Sequence, residues 1–439
     1  MDLAVLDTGA AAPRPDVAPH PQRPTPLPRR RNPREESWRN GPGPGPRPAP
    51  RTIDEARTRK EENVDRTDVG AAAPRPQRPA SIDSGDGAAP HTPVLLERCL
   101  DLLAGALEGP GAPERPVMID CTLGAGGHAE GALRRFPALS VVGIDRDPEA
   151  IALASARLAP FGRRFRAVRT TYDQVDAVAR EASVCPDGTV DAVLMDLGVS
   201  SLQLDDAGRG FSYARPAPLD MRMDQSGGTT AQQILDTADE RELTRILRAY
   251  GEERFAPRIA AAIVRRRRDG DPVASTGDLA ALVRECIPAP ARRTGGNPAK
   301  RTFQALRVAV NAELDVLERA VPRALNALRV GGRLVVESYQ SLEDRIVKRA
   351  LAAGTAEAVP AGLPVVPADA SPYLRAVTRG AEKADPAEIA SNPRSASVRL
   401  RAVTRTRPAS EAPSPQPRPR PIPTRKRPTH NRDRGRRSR

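Results

Sequence analysis

VMIDCTLGAGGHAEGAL, residues 117–133, and, six residues on, SVVGIDRDPEAI, residues 140–151, together read as strand, glycine turn, helix, second strand and a carboxylate at that strand's end. The first apolar run ends at Asp120. Gly124, Gly126 and Gly127 then let the backbone turn tightly and approach a ligand too closely for any Cβ to fit. Asp145 lies 19 residues beyond Gly126, a spacing at which a carboxylate accepts hydrogen bonds from both hydroxyls of a ribose. The pattern is that of a nucleotide-type cofactor site. By itself it does not say which: Gly124, Gly126 and Ala129 satisfy the dinucleotide fingerprint as well as a methyltransferase loop, and an ordinary tight strand-to-helix turn is a third reading.

Downstream, VDAVLMDLGVSSLQLDDAGRGFSYARPAPLDMRMD, residues 190–224, supplies another buried strand ending in Asp196, followed by a long polar loop where the next crossover helix is due. A nicotinamide enzyme has no use for that loop. Between residues 91 and 196 apolar runs alternate as strand and helix, which implies a parallel sheet with right-handed crossovers. The rhythm then stops for about a hundred residues. AQQILD, RELTRILRAYG, RFAPRIAAAIVRRRR and DLAALVREC show helical periodicity instead and predict an inserted helical subdomain. The parallel fold resumes with one long helix, RTFQALRVAVNAELDVLERAVPRALNAL, bent at Pro322, then strand GRLVVESY and helix SLEDRIVKRAL. The short runs PYLRAVTR and SVRLRAVTR predict an antiparallel closing edge.

Composition divides the 439 residues into parts. Residues 1–90 hold 17 of the 47 prolines and few large apolar side chains, too little to offset ordering entropy, and are expected to be disordered. The net charge of +14 is concentrated at the other end, where residues 405–439 carry 12 Lys and Arg against two acidic residues. Such a tail suits counterion-releasing contact with RNA phosphates, or else is a solvated appendage without aromatics for base stacking. Cys99, Cys121, Cys185 and Cys286 lie far apart without a C-x-x-C pair, so no metal site is readable and buried thiols of a reducing cytoplasm are expected. No apolar run reaches the length of a membrane span.

The motifs carry a family resemblance. HTPVLLERCLDLL from His91, the GAGGH turn, GIDRDPEAI, DLGVSSLQLDDAGRGFS with PLDMRMD, GEERFAPRIAAAIV from Gly251, RTFQALRVAVNAEL from Arg301, GGRLVVESYQSLEDRIVK from Gly331 and NPRSASVRLRA from Asn392 occur in family order. The chain resembles the ribosomal RNA small subunit methyltransferase H family, whose members transfer methyl from S-adenosylmethionine to the N4 amine of a 16S rRNA cytidine. The resemblance implies a doubly wound, Rossmann-like methyltransferase sheet formed by residues 91–204 and 300–404, a helical substrate-recognition subdomain at 205–299, and disordered ends at 1–90 and 405–439. It implies a cytoplasmic enzyme with S-adenosylmethionine as cofactor and 16S rRNA, within the small subunit, as partner. A homodimer is compatible with it. A non-catalytic RNA-binding assembly factor is the alternative.

Residue by residue, the resemblance assigns Gly126, Gly127, His128, Asp145, Tyr172, Asp196 and Gln203 to the cofactor, with Tyr172 beside adenine where the family often has phenylalanine. Asp120, Asp145 and Asp196 all fall at strand ends, where an open parallel sheet binds its ligands. Cytidine N4 is conjugated with its ring and weakly nucleophilic. An acceptor aimed at one of its N–H bonds would localise the lone pair and remove charge as the new bond forms, and Asp196 is the candidate. Ser200 and Ser201 either meet the base or close the loop locally. Asp220, Arg222 and Asp224 read as an ion-pair scaffold, and the four arginines at 265–268 as a helix-dipole complement or a phosphate contact.

Overall fold

The computed structural model describes residues 93–213, 216–292, 296–356, 371–408 and 410. The extension 1–90, His91 and all the tail beyond 410 lie outside the described residues. The first part of the chain gives α1 (Leu96–Leu107), β1 (Val117–Asp120), α2 (Gly127–Arg135), β2 (Ser140–Asp145), α3 (Pro148–Leu158), β3 (Phe165–Arg169), α4 (Val175–Ala182) and β4 (Val190–Asp196). A helical stretch follows: α5 (Ser201–Asp205), α6 (Ala231–Thr237), α7 (Glu240–Gly251), α8 (Ala256–Arg268), α9 (Thr276–Cys286), α10 (Ala289–Arg292), α11 (Lys300–Asn311) and α12 (Glu313–Ala327). It closes with β5 (Leu328–Ser338), α13 (Ser341–Thr355), β6 (Leu374–Ala376), α14 (Pro386–Ser391) and β7 (Arg399–Arg405).

The seven strands form one sheet in the order β3-β2-β1-β4-β5-β7-β6, parallel except that β7 runs antiparallel to both its neighbours. This is the doubly wound methyltransferase sheet with its reversed closing strand. β1 is buried at all four positions and β4 at all but the last, because helices cover both faces and neither face can be polar. One face packs on α4, α12 and α13 through residues such as Val175, Leu317 and Val347, and the other on α1, α2 and α3 through Leu103, Leu133 and Leu158. A separate apolar cluster joins α6, α7, α8 and α9. It also takes in Phe303 and Leu306 of α11, so the helical layer's core runs past residue 299.

Two expectations are corrected. The long helix is two helices, α11 and α12, and the break is at Ala312, whose φ of 50° is left-handed, while α12 continues through Pro322. The chain must turn there because α11 packs in the helical layer and α12 packs under the sheet. Arg307 and Glu313 bridge the break with two hydrogen bonds of 2.8 Å. The tail does not begin at 405. Arg405 ends β7, is 0% exposed, donates to the Leu325 carbonyl at 2.6 Å and lies over the Tyr373 ring.

Candidate active site

The turn between β1 and α2 is held from both sides. Gly126 caps α2 with φ 79°, a left-handed value that a Cβ would strain, and Gly124 has φ 50°. A Cβ at Gly127 would come within 2.5 Å of Pro93, so the segment before α1 lies directly on the turn. Asp145 at the end of β2 accepts from the Gly124 N–H at 2.9 Å through one oxygen and from the Asp147 N–H at 2.9 Å through the other. Burial raises its carboxyl above the ordinary range, and those same amides oppose the shift. Each carboxylate oxygen has two lone pairs, so acceptor capacity remains for ribose hydroxyls. Asp145 thus organises the glycine turn as well as facing it, a duty that spacing did not reveal.

His128, the second residue of α2, is buried and points back toward the sheet. Its Nε2 lies 3.1 Å from the Val94 carbonyl, which can only accept, so Nε2 carries the proton of that bond. Nδ1 faces Asp196 Oδ2 at 3.8 Å, and Nε2 is 3.5 Å from Glu337 Oε2. Asp196 and Glu337 are register partners on β4 and β5, so their side chains leave the sheet on the same side. Glu337 is 0% exposed, and burial, then the charge of Asp196, pushes its carboxyl well above the usual range. Cys99 joins this group: its sulfur, a His128 ring nitrogen and a Glu337 oxygen lie within 4.8 Å of one another. Spacings of 29 and 209 residues gave no hint of that cluster.

Tyr339, one residue past β5, was not among the expected site residues. Its hydroxyl donates to Asp196 Oδ1 at 2.8 Å. The Asp196 N–H donates to Thr122 Oγ1 at 2.6 Å, which ties the end of β4 to the turn after β1. The available signal was only that Tyr339 ends the strand beside β4, which becomes informative once strand order is known.

Gln203 sits in α5, where it completes a capping box: the Gln203 N–H donates to Ser200 Oγ, and the Ser200 N–H donates to Gln203 Oε1 at 3.2 Å. Its Nε2 donates to Asp147 Oδ2 at 2.9 Å. The same Asp147 oxygen accepts from Arg209 Nη2 at 2.8 Å, while Arg209 Nη1 reaches Glu149 at 2.8 Å. Arg209 also donates to the Met223 carbonyl at 2.8 Å, and Asn311 holds Met221 and Met223 through its amide. The long loop after β4 is therefore fixed by two buried polar side chains, neither of them singled out from sequence. Tyr172 stands on the other side: its ring packs on the core under the sheet and its hydroxyl donates to the Glu313 carbonyl at 3.4 Å.

Asp220 and Arg222 pair at 2.7 Å, and Asp224 pairs with Arg169 at 3.0 Å, which is the scaffold reading. Ser201 meets Arg394. Arg266 bonds Asp271, Arg267 donates to the carbonyls of Leu235 in α6 and Ala238 just after it, and Arg268 pairs with Asp269 at 3.7 Å, so most of the arginine run is engaged within the fold.

Asp120, 1% exposed at the end of β1, is raised by burial to about 6. Its ordinary value is 3.8, so between the two the folded chain holds a proton that the unfolded chain has lost. Stability should therefore fall as pH rises from about 4 to about 6, by roughly 3 kcal/mol from this group. Asp120→Asn keeps an acceptor for the Thr122 N–H. It is expected to flatten that fall, as urea midpoints at the two ends of the window would register.

The chain matches the family described as the MraW methylase family over residues 88–406. It is 61% identical over 294 residues to the ribosomal RNA small subunit methyltransferase H of Beutenbergia cavernae, covering 67% of this chain and 86% of that one. Against proteins of the same name it is 57% identical over 301 residues in Mycolicibacterium gilvum, covering 69% and 78% of the two chains. In Mycolicibacterium smegmatis the figures are 60% over 277 residues, 63% and 73%.

Proposed function

The chain belongs to the MraW methylase family, and from that premise we propose that it transfers the methyl group of S-adenosylmethionine to the N4 amine of a cytidine in 16S rRNA. The observation that carries this reading is the convergence of the glycine turn, Asp145 and Asp196 at the carboxyl ends of β1, β2 and β4. The residues suit the cofactor. A Cβ built on Gly124 meets nothing closer than 3.9 Å and one on Gly198 nothing closer than 3.8 Å, so both loops leave room above the strand ends. Gly126, Gly127 and His128 would meet the amino-acid part at the start of α2, Asp145 the ribose, and Tyr172 the adenine side. For Gln203 the geometry supports an indirect part, holding Asp147 and the loop that closes the site.

S-adenosylmethionine brings an activated methyl on a sulfonium, which departs as a neutral thioether. The chain's task is to aim the amine and take its proton. Asp196 accepts the proton that N4 loses as the new N–C bond forms, and positioning supplies much of the remaining acceleration. Within an RNA helix such an amine would be paired and inaccessible, so the target is a single-stranded or extruded cytidine. We assign the helical layer, residues 205–299 with α11, to RNA recognition. The basic residues beyond 410 are assigned to phosphate contact on charge alone. We assign the reaction to the cytoplasm, with the small subunit, on the family resemblance. Among the described residues no helix is long and apolar enough to cross a membrane. A non-catalytic assembly factor would have no physical need for this set of strand-end carboxylates.

The deciding experiment is transfer of labelled methyl to small subunits from a strain lacking the enzyme, followed by nucleoside mapping. Label on cytidine N4 supports the reading and label on another atom, or none, overturns it. Asp145→Ala is expected to weaken S-adenosylmethionine binding by about 10- to 100-fold, the loss of hydrogen bonds to a charged acceptor. Calorimetry with unchanged affinity in the folded variant would remove the ribose assignment.

A further inference from the structure

We propose that Tyr339 is a positioning residue for methyl transfer, acting through Asp196 to fix the carboxylate that receives the amine proton. The inference rests on the reading of Asp196 as that acceptor. A carboxylate at a strand end rotates broadly about its terminal torsion, which is nearly two-fold, so an unheld Asp196 would spend part of its time turned away from the amine. The Tyr339 hydroxyl, at 2.8 Å from Oδ1, removes that freedom.

Tyr339 is itself held. Its N–H donates to Glu343 Oε2 at 2.9 Å, and the Gln340 N–H donates to the same oxygen at 3.0 Å, which anchors the residue to the first turn of α13. Its ring edge lies beside Gly198, where a Cβ would stand 3.8 Å from Cδ2, so the ring also backs the loop after β4. Burial and the neighbouring Asp196 and Glu337 charges push the phenol far up, so it keeps its proton and remains a donor at any working pH. Tyr339 therefore neither gives nor takes the transferred proton. The proton passes from N4 to Asp196, the methyl passes to N4, and the phenol holds the acceptor in place throughout.

Groups facing Asp196 from the adjoining elements are Asp120 of β1, His128 of α2, Glu337 of β5 and Cys99 of α1. Tyr339 joins them with a hydrogen bond of 2.8 Å to Asp196 Oδ1. Its O–H is also the group whose removal changes least else, since Tyr339→Phe keeps the ring.

The test is a double-mutant cycle on the full chain: wild type, Tyr339→Phe, Asp196→Asn and the double variant. Single-turnover rates are measured on unmethylated small subunits at saturating S-adenosylmethionine, with cofactor Kd and thermal melting alongside. Tyr339→Phe is expected to slow the saturated step about 10-fold with Kd within about twofold of wild type, and to cost nothing further in the Asp196→Asn background. A folded Tyr339→Phe at the wild-type rate overturns the proposal. So does a full additional 10-fold loss in the double variant, which would place the effect in general packing. If Asp196→Asn alone reacts at the normal saturated rate, the acceptor reading itself has failed; if it is slow while Tyr339→Phe is normal, only the positioning inference has.

Discussion

Asp196→Asn is expected to lower the saturated single-turnover rate of methyl transfer by about 10² or more, while S-adenosylmethionine affinity changes far less. The substitution keeps the side chain's size and can still accept from the Tyr339 hydroxyl, but it removes the charge that would receive a proton. One neighbour remains as a competing acceptor: His128, its Nε2 proton committed to the Val94 carbonyl, keeps an unprotonated Nδ1 facing Asp196 at 3.8 Å. Glu337 is buried and held toward its neutral form. Asp120 is 1% exposed and its Oδ1 is occupied by the Thr122 N–H. A variant that binds cofactor weakly yet reacts normally when saturated would show that Asp196 only holds the cofactor. The acceptor would then be sought in the loop at 198–206.

Arg209→Met is expected to destabilise the fold by about 3–5 kcal/mol, the usual consequence of removing one partner of a buried ion pair. Arg209 and Asp147 are 4% and 2% exposed. Without the guanidinium, Asp147 retains the Gln203 amide and the Glu149 N–H but loses its counter-charge, and the Met223 carbonyl loses a donor. The loop should loosen with it. Denaturant melts would measure the loss, and hydrogen exchange at residues 219–223 would show whether the loop opens first. A variant within about 1 kcal/mol of wild type would mean that solvent replaces the guanidinium at little cost.

Much of the fold was legible. The strands β1, β2 and β4 announce themselves as apolar runs of four to seven residues between helical segments, because the middle of a sheet covered on both faces leaves no place for polar side chains, whereas the edge strand β3, FRAVR, carries two arginines and is buried at no position. The Gly124 to His128 turn and the acids at the strand ends could be placed because they are local features of a short stretch. The helical layer was visible in periodicity alone. Other features were hidden. Ala312 resembles any helix interior residue, and only the divergent packing of α11 and α12 forces its left-handed turn. Arg405 looked like the first cation of a solvated tail until the last strand pairing buried it. Arg209 read as a loop residue and Gln203 was assigned to the cofactor only through the family resemblance; their common partner Asp147 lies 62 and 56 positions away.

What the sequence determined by itself is whatever depends on neighbours along the chain: the period of apolar residues, the glycines at a tight turn, the carboxylates ending β1, β2 and β4. What only the tertiary structure decided is which of those ends face one another. Asp196 and Tyr339 are 143 residues apart and meet because β4 and β5 pair in parallel with Asp196 opposite Glu337. In a pleated sheet side chains alternate between faces, so a one-residue shift of that register would send the partner's side chain to the other face and dissolve the site.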